Sequence, residues 1–96
     1  MNNKISNNSW VYVIIQNPGA FEQLVGFEDD NKYIPVNKTK EEAEVFLTYI
    51  PREPGKKYEI QAIIYEDVIN YAANNHFMVY IVNNEGKIIE KIDPKK

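Results

Sequence analysis

The stretch TKEEAEVFLTYIP, residues 39–51, decides the fold class, because it predicts one well-bounded helix in a chain that is otherwise rich in strands. Thr39 and Glu42 have the spacing of a capping box, in which each side chain accepts the free backbone N–H of the other residue. The proline at position 51 ends the helix, because a residue before proline is pushed out of the α region. Between these boundaries an apolar stripe at helical spacing is formed by Ala43, Phe46, Leu47 and Ile50.

Segments on both sides of this helix are β-branched and aromatic, which is typical of strands. They cover residues 10–16, 23–28, 32–36, 58–65, 77–82 and 87–92. A second helix is predicted over residues 66–76, and Asn74 or Asn75 is expected to end it in the left-handed conformation. The order β-β-β-α-β-α-β-β predicts an α+β fold. We expect a two-layer sandwich, in which a mixed sheet of five or six strands carries two helices on one face.

Length and composition predict one soluble domain. A chain of 96 residues fits a single domain, since domains usually have roughly 100 to 150 residues. Residues 10–96 are predicted to form this domain, and the polar residues 1–9 to form a flexible tail. No apolar stretch approaches the roughly 20 residues that a membrane-spanning helix needs.

Cysteine is absent, which excludes disulfides, thiolate nucleophiles and iron–sulfur clusters and favours a cytoplasmic protein. The net charge of −3 argues against nucleic acid as a partner, because phosphates require a basic surface. Aromatic rings on a sheet could stack on single-stranded RNA, but here Glu59 and Glu66 are expected nearby and no basic flank is present. The sequence therefore predicts neither nucleic acid nor membrane as a partner.

The stretch QNPGAFEQLVGFEDD, residues 16–30, contains the strongest loop signal in the chain. Its Pro-Gly pair predicts a bend between two strands and needs no ligand to explain it. In the alternative interpretation, a small ligand or peptide binds at this loop and at a sheet edge near Pro35. The ligand-binding residues would then be Asn17, Gly19, Phe21 and Glu22.

Three further positions have a predicted backbone role. Gly26 indicates a bulge or a close backbone approach within its strand. Pro35 predicts a strand that is at an edge or is paired on one side only. The run 83–86 predicts a turn in which Gly86 adopts a positive φ.

The residues that could support catalysis do not form a convincing set. His76 is the single histidine, and the two serines, Ser6 and Ser9, lie in the predicted tail. One histidine without cysteine also makes a metal site improbable, since such sites need three or four ligands. The paired acids at positions 41–42 and 66–67 fall in the first turns of predicted helices, where the helix dipole favours them. We therefore predict no catalytic residues, no metal, no cofactor and no enzymatic activity.

The aromatic residues support the functional prediction. If Val11, Val13 and Ile15 face the helices, alternation places their neighbours on an uncovered face of the sheet. Large apolar patches usually mark interfaces, and Trp, Tyr and Met are enriched in them. We predict an interaction module that forms a homodimer, or binds another protein, through this face. The alternative is that cross-strand aromatic pairs only stiffen a solvent-facing sheet. The predicted interface consists of Trp10, Tyr12, Ile14, Gln61, Ile63, Tyr65, Met78 and Tyr80.

The segments YIPVNKTKEEAEVFL and YEIQAIIYEDVINYAANNHFMVYIVNNEG lie within residues 33–86. In each, a strand leads into a helix that opens with acids, and the second segment continues into a strand that ends at an Asn/Gly turn. This pattern resembles small bacterial and plastid α/β domains and, more loosely, the SseB-type (enhanced serine sensitivity) domain. Asn37 stands where the SseB type would have an aromatic residue. The resemblance implies an α/β layout and supplies no catalytic residues.

Overall fold

The computed structural model describes residues 5–17, 23–28, 31–50 and 54–95. Within these ranges two helices and seven strands form an α+β fold, which confirms the predicted class. The helices are α1 (Lys40–Tyr49) and α2 (Tyr65–Asn75). The strands are β1 (Trp10–Gln16), β2 (Gln23–Leu24), β3 (Phe27–Glu28), β4 (Lys32–Val36), β5 (Tyr58–Ile64), β6 (Met78–Val82) and β7 (Ile88–Ile92).

The strands lie in two sheets, whereas the sequence predicts one mixed sheet. The β1 sheet has the order β2-β1-β5 and is antiparallel, and the β4 sheet has the order β3-β4-β6-β7 with β4 parallel to β6. The predicted strand over residues 23–28 is divided, because the chain passes from one sheet to the other between β2 and β3. A Cβ atom on Gly26 would lie 2.9 Å from Cε1 of Phe77, so the close approach predicted for this glycine is confirmed.

Asn37 joins the two sheets. Its N–H donates to the Tyr12 carbonyl and the Tyr12 N–H donates to the Asn37 carbonyl, both at 3.0 Å. The side chain of Asn37 is 1% exposed, and its amide donates to the carbonyl oxygens of Val82 and Asn83 at 3.1 and 3.2 Å. One buried and hydrogen-bonded side chain therefore connects β1, the end of β4 and the end of β6.

Pro35 lies in a part of β4 that is paired on one side. There β4 pairs with β6, and Pro35 stands opposite Tyr80. On the other side the pairing with β3 stops at Tyr33, and the bridge to β1 begins only at Asn37. The missing N–H of Pro35 therefore falls in a gap between described strand pairings, as the sequence predicts.

Helix α1 begins and ends as predicted. Thr39 is the N-cap, and its hydroxyl accepts the N–H of Glu42 at 3.1 Å. The return bond to the Glu42 carboxylate is absent from the described part of the chain, so the cap is one-sided. Ile50 is extended, with ψ 128°, which a residue before proline favours. The predicted stripe is buried at Ala43, Phe46 and Ile50 and partly buried at Leu47.

Alternate residues of β6 belong to two separate cores. Val79 and Ile81 lie in a cluster that contains residues of α2, here named the α2 core. Tyr80 and Val82 lie with Phe46 of α1 in a second cluster, here named the α1 core. Since alternate residues of a strand point to opposite faces, the two helices cover opposite faces of β6. This differs from the predicted arrangement with both helices on one face, and the unbroken apolar run of β6 is typical of a strand buried on both faces.

The N-terminus of α2 is capped by a distant segment of the chain. Its N-cap residue, Ile64, offers no side-chain hydrogen bond. Instead, the N–H of Tyr65 donates to the carbonyl of Ser9 at 2.8 Å, and the N–H of Glu66 donates to the carbonyl of Asn7 at 3.0 Å. Ile5 also packs against the α2 core. The described part of the predicted flexible tail is therefore held in place, through backbone carbonyls that a polar composition does not reveal.

His76, and neither of the two predicted asparagines, ends α2 in the left-handed conformation. It has φ 62° and ψ 39°, and its N–H donates to the carbonyl of Ala72. Asn75 stays helical, and its side-chain amide donates to the carbonyl of Tyr71 at 2.8 Å. Because Asn75 is satisfied within the helix, the left-handed residue comes one position later than predicted.

Candidate functional site

The pairing of β1 with β5 determines which of the predicted interface residues share a face. The partners of Trp10, Tyr12 and Ile14 on β5 are Ile64, Ala62 and Ile60, in that order. Directly opposed residues project to the same side of a sheet. Gln61 and Ile63 lie opposite Val13 and Val11, and therefore project to the other side.

The predicted interface is thus divided between two faces. Ile63 packs against the α2 core, while Gln61 is exposed beside it. Tyr65 lies outside β5, because it is the first residue of α2, and it is buried. Alternation along a strand groups residues that share a face, but the face itself depends on the register with the neighbouring strand. In β5 both Ile63 and Ile64 are apolar, so the sequence allows either phase.

Three other residues of the predicted interface belong to the α1 core. Tyr80 and Ile14 are buried, and Met78 packs against the same cluster. The ring of Tyr80 is stacked on that of Tyr33, with 4.2 Å between centroids and 16° between planes. The Lys91 ammonium lies 5.2 Å from the Tyr80 ring centroid. Ile14, Met78 and Tyr80, which the sequence predicts on an uncovered interface face, therefore belong to the core beneath α1.

The Tyr80 hydroxyl has an unusual environment. Tyr80 is 0% exposed, and its hydroxyl oxygen has no hydrogen-bond partner in the described part of the chain. Burying a hydroxyl without a partner costs free energy, so most buried polar atoms are paired. The hydroxyl belongs to the packing of the α1 core and does not line any described cleft.

What remains exposed on the Trp10 side of the β1 sheet is a contiguous group of four side chains. Trp10 is 60% exposed, Ala62 is exposed, and Tyr12 and Ile64 are partly buried. None of the four packs in the α1 core or the α2 core. They form two directly opposed pairs, Trp10 with Ile64 and Tyr12 with Ala62. These four side chains are here named the Trp10 patch.

Only half of the Trp10 patch is predicted by the sequence. Trp10 and Tyr12 belong to the predicted interface, whereas Ala62 and Ile64 are not among its residues, because they project to the side of β5 opposite to Gln61 and Ile63. The alternation of Ile60, Ala62 and Ile64 groups these residues together, and this is the signal by which they could be found. What the sequence lacks is the register that places the group beside Trp10.

A cleft of about 440 Å³ opens at the two ends of the predicted ligand loop. Gln16 and Leu24, which flank the loop, both line it. Phe27, Ile50 and Phe77 supply apolar walls. Sites for small molecules usually have volumes of about 300 to 1,000 Å³ with mostly apolar walls, so this cleft has a suitable size.

The predicted ligand-binding residues themselves are only partly described. Gly19, Phe21 and Glu22 lie outside the described residues. Asn17 adopts a left-handed conformation, with φ 58°, and its N–H donates to the carbonyl of Lys57 at 2.8 Å. The hydrogen bond fixes the start of the loop against the start of β5.

A second cleft, of about 470 Å³, lies beside α2 and β7. Tyr65, Ile69 and Glu90 are among its lining residues. Burial raises the pKa of Tyr65 above its usual value, and the Glu90 carboxylate raises it further. The phenol at this cleft is therefore neutral at physiological pH and can donate a hydrogen bond.

The single histidine and the two serines make separate contacts in the described part of the chain. Nδ1 of His76 is 2.8 Å from the Lys95 ammonium, whereas the hydroxyls of Ser6 and Ser9 are 2.7 Å from each other. Among the described residues, no three His, Asp or Glu side chains are grouped so that they could hold a metal ion. No helix in the described ranges is long and apolar enough to cross a membrane.

Comparison with known proteins adds no further constraint on the site. No protein-family model, curated protein sequence or solved structure matches this chain. The resemblance to SseB-type domains stays a prediction from residues 33–86.

Proposed function

We propose that the protein is a non-enzymatic interaction module of the cytoplasm that binds a second copy of itself through the Trp10 patch. The observation that carries this proposal is the position of Trp10. Its side chain is 60% exposed and packs in neither core. It lies on the same face of the β1 sheet as Ala62, which is also exposed. A large ring that contributes so little to its own fold is available to another surface.

The energetics of interfaces favour such a residue. Tryptophan is enriched among the side chains that contribute most to binding, because it buries a large area at little cost in conformational entropy. Ala62 is small, so a partner can approach the sheet closely beside the ring. Pairing the same patch on two copies about a two-fold axis closes the assembly at a dimer.

The first experiment is light scattering over a range of micromolar concentrations. The wild-type protein is expected to have the mass of a dimer, and Trp10→Glu is expected to shift it to the monomer, since a carboxylate would have to be buried. Tyr49→Glu is the matched control, because Tyr49 is 61% exposed on α1, outside the Trp10 patch. A wild-type monomer at all concentrations, or equal effects of both variants, would contradict the proposal.

The single tryptophan of the chain supplies a second, local readout. Because it lies in the Trp10 patch, its fluorescence is expected to shift to the blue as the concentration rises and the ring leaves water. Ala62→Glu should abolish this shift while leaving the emission of the dilute protein unchanged. Emission that does not depend on concentration would place the ring outside the interface.

The cleft at Gln16 and Leu24 supports a second candidate function, in which the protein binds a small apolar ligand there. A titration with anilinonaphthalene sulfonate, followed by amide chemical shifts, tests it. Binding in the cleft should shift the amides of Val25 and Phe77, while binding at the Trp10 patch should shift those of Trp10 and Ala62. Shifts only at the Trp10 patch would argue against this candidate.

A further inference from the structure

Strand β5 is the one long strand in the described part of the chain whose outer edge lacks the usual protection. β2 and β3 have two residues each, and the outer strand β7 carries the exposed charges of Glu90 and Lys91. Short strands, charges, bulges and prolines are the devices by which proteins block edge pairing. β5 has seven residues, and within Ile60–Ile64 it contains no charge and no proline.

In β5, the backbone N–H and C=O groups of every second residue point away from β1, toward the open edge. The Lys57 carbonyl accepts the N–H of Asn17, and the Tyr65 N–H donates to the Ser9 carbonyl. These two bonds show that odd-numbered residues direct their backbone groups toward β1. By the alternation of an antiparallel ladder, the N–H and C=O groups of Ile60, Ala62 and Ile64 point away from β1.

This edge is complementary to itself. In an antiparallel pairing about a two-fold axis at Ala62, each Ala62 stands opposite the other, and Ile60 stands opposite Ile64 of the second copy. All three positions are those whose backbone groups point outward, so each pair can exchange two hydrogen bonds. Gln61 then stands opposite Ile63 of the second copy, and no like charges are opposed between residues 60 and 64.

We propose that two copies of the chain pair through Ile60–Ile64 of β5, centred on Ala62, and thereby join their β1 sheets into one continuous six-stranded sheet. This inference rests on the proposed function and specifies its geometry. The two-fold axis is perpendicular to the sheet, so both Trp10 patches lie on the same face. Trp10, Ile64 and Ile60 of the other copy then lie in one row on this face of the joined sheet, as do Tyr12, Ala62 and Ala62 of the other copy. In this arrangement the Trp10 ring packs across Ile64 onto Ile60 of the other copy, while Ala62 contacts the second Ala62.

Amide hydrogen exchange at two concentrations tests the pairing directly. The amides of Ala62 and Ile64 point away from β1 and have no partner among the described residues of their own copy. They are therefore expected to exchange about tenfold more slowly when about nine-tenths of the chain is dimeric. Gln61 and Ile63 bond to β1 in both states, so their protection should not depend on concentration. Unchanged exchange at Ala62 and Ile64 in a protein that is dimeric by mass would overturn the pairing and leave the proposed function intact.

Substitutions at position 62 distinguish backbone pairing at the β5 edge from side-chain contact through the exposed face. Ala62→Pro removes an N–H that points outward, which an edge strand tolerates, and is expected to give a folded monomer. Ala62→Thr keeps the N–H and is expected to remain a dimer. A dimeric Ala62→Pro variant would overturn the pairing, while a monomeric wild-type protein would overturn both the pairing and the proposed function.

The register has its own test, since the chain contains no cysteine. Opposed residues that exchange hydrogen bonds have Cα atoms about 5.5 Å apart, within the range that a disulfide spans. Ala62→Cys is therefore expected to form a disulfide-linked dimer on mild oxidation. Gln61 is also exposed, but Gln61→Cys is expected to cross-link far more slowly, because position 61 is not opposed to itself in this register. Faster cross-linking at position 61 would overturn the Ala62-centred register.

Discussion

The side-chain amide of Asn37 donates to the backbone carbonyl of Val82 at 3.1 Å, between residues that are 45 positions apart in the chain. Asn37→Ala removes this bond and the bond to Asn83, and is expected to destabilise the protein by about 1 to 3 kcal/mol. Asn37→Asp should cost more at neutral pH, because it buries a charge against two carbonyl oxygens. Urea denaturation measures both. Asn84→Ala, at an exposed position, is the control, and an Asp variant no worse than the Ala variant would contradict the interpretation.

Gly55 and Gly86 form a matched pair, with φ values of 82° and 83°. A Cβ at Gly55 meets nothing within 4 Å, whereas a Cβ at Gly86 would lie 2.9 Å from Cε1 of Phe46. Gly55→Ala is expected to cost about 1 to 2 kcal/mol through its backbone conformation alone. Gly86→Ala should cost about 1 to 3 kcal/mol more, through overpacking against the ring. Equal losses in denaturant melts would show that the Phe46 ring moves aside freely.

Tyr80→Phe should leave the protein as stable or make it more stable, by up to about 1 kcal/mol. It removes a buried hydroxyl that has no partner among the described residues and keeps the ring that stacks on Tyr33. Thermal and urea melts measure the change, with Tyr49→Phe as the exposed control. A clear loss of stability would indicate a hydrogen bond to the hydroxyl.

Thr39→Ala and Phe46→Ala test the two contributions to α1. The first removes the acceptor of the Glu42 N–H and is expected to cost about 0.5 to 2 kcal/mol. The second leaves a cavity in the α1 core and is expected to cost about 3 to 5 kcal/mol. Since native stabilities total about 5 to 15 kcal/mol, only the second can unfold the domain. Similar losses in denaturant melts would contradict the burial of Phe46.

The raised pKa of Tyr65 predicts that the folded protein loses stability at alkaline pH. Its pKa is raised in the folded state above the usual value of 10.0, because burial and Glu90 disfavour the phenolate. Below about pH 10 the phenol is neutral in both the folded and the unfolded state, and its contribution to the free energy of unfolding is fully present. As the pH rises further, the unfolded state ionises first, so stability is lost until the pH passes the folded pKa.

Urea melts at pH 8 and pH 11 measure this effect. The wild-type protein should lose more stability between these values than Tyr65→Phe does, because the variant lacks the ionising group. The other tyrosines are present in both proteins, so the difference between the two losses isolates Tyr65. Equal losses would show that Tyr65 ionises as easily in the folded state as in the unfolded chain.

The sequence predicts the elements of this fold well, because their signals are local. Thr39, Glu42 and the proline at position 51 bound α1 by contacts and restrictions that span a few residues. Gly86 adopts the positive φ that its turn predicts. The gap in pairing at Pro35 also follows from a local property, the missing N–H.

The residues of the candidate site are brought together by strand register, which the local sequence pattern does not determine. Ala62 belongs with Trp10 only because Tyr12 lies opposite Ala62, and a shift of one residue would place Gln61 there instead. A tyrosine side chain such as Tyr80 is compatible with a buried or an exposed face of β6. Tyr80 is buried because α1 covers its side of the strand. Its position in the α1 core follows from the packing of distant segments.

The carbonyls of Asn7 and Ser9 close the first turn of α2, and this sets an order of events during protein synthesis. These two residues leave the ribosome long before Tyr65 and Glu66 have been added. Until the early segment returns, the first N–H groups of α2 lack their partners, and a helix of this length is marginal by itself in water. A bulky fusion placed directly ahead of Ile5 would therefore act on a helix that is synthesised much later.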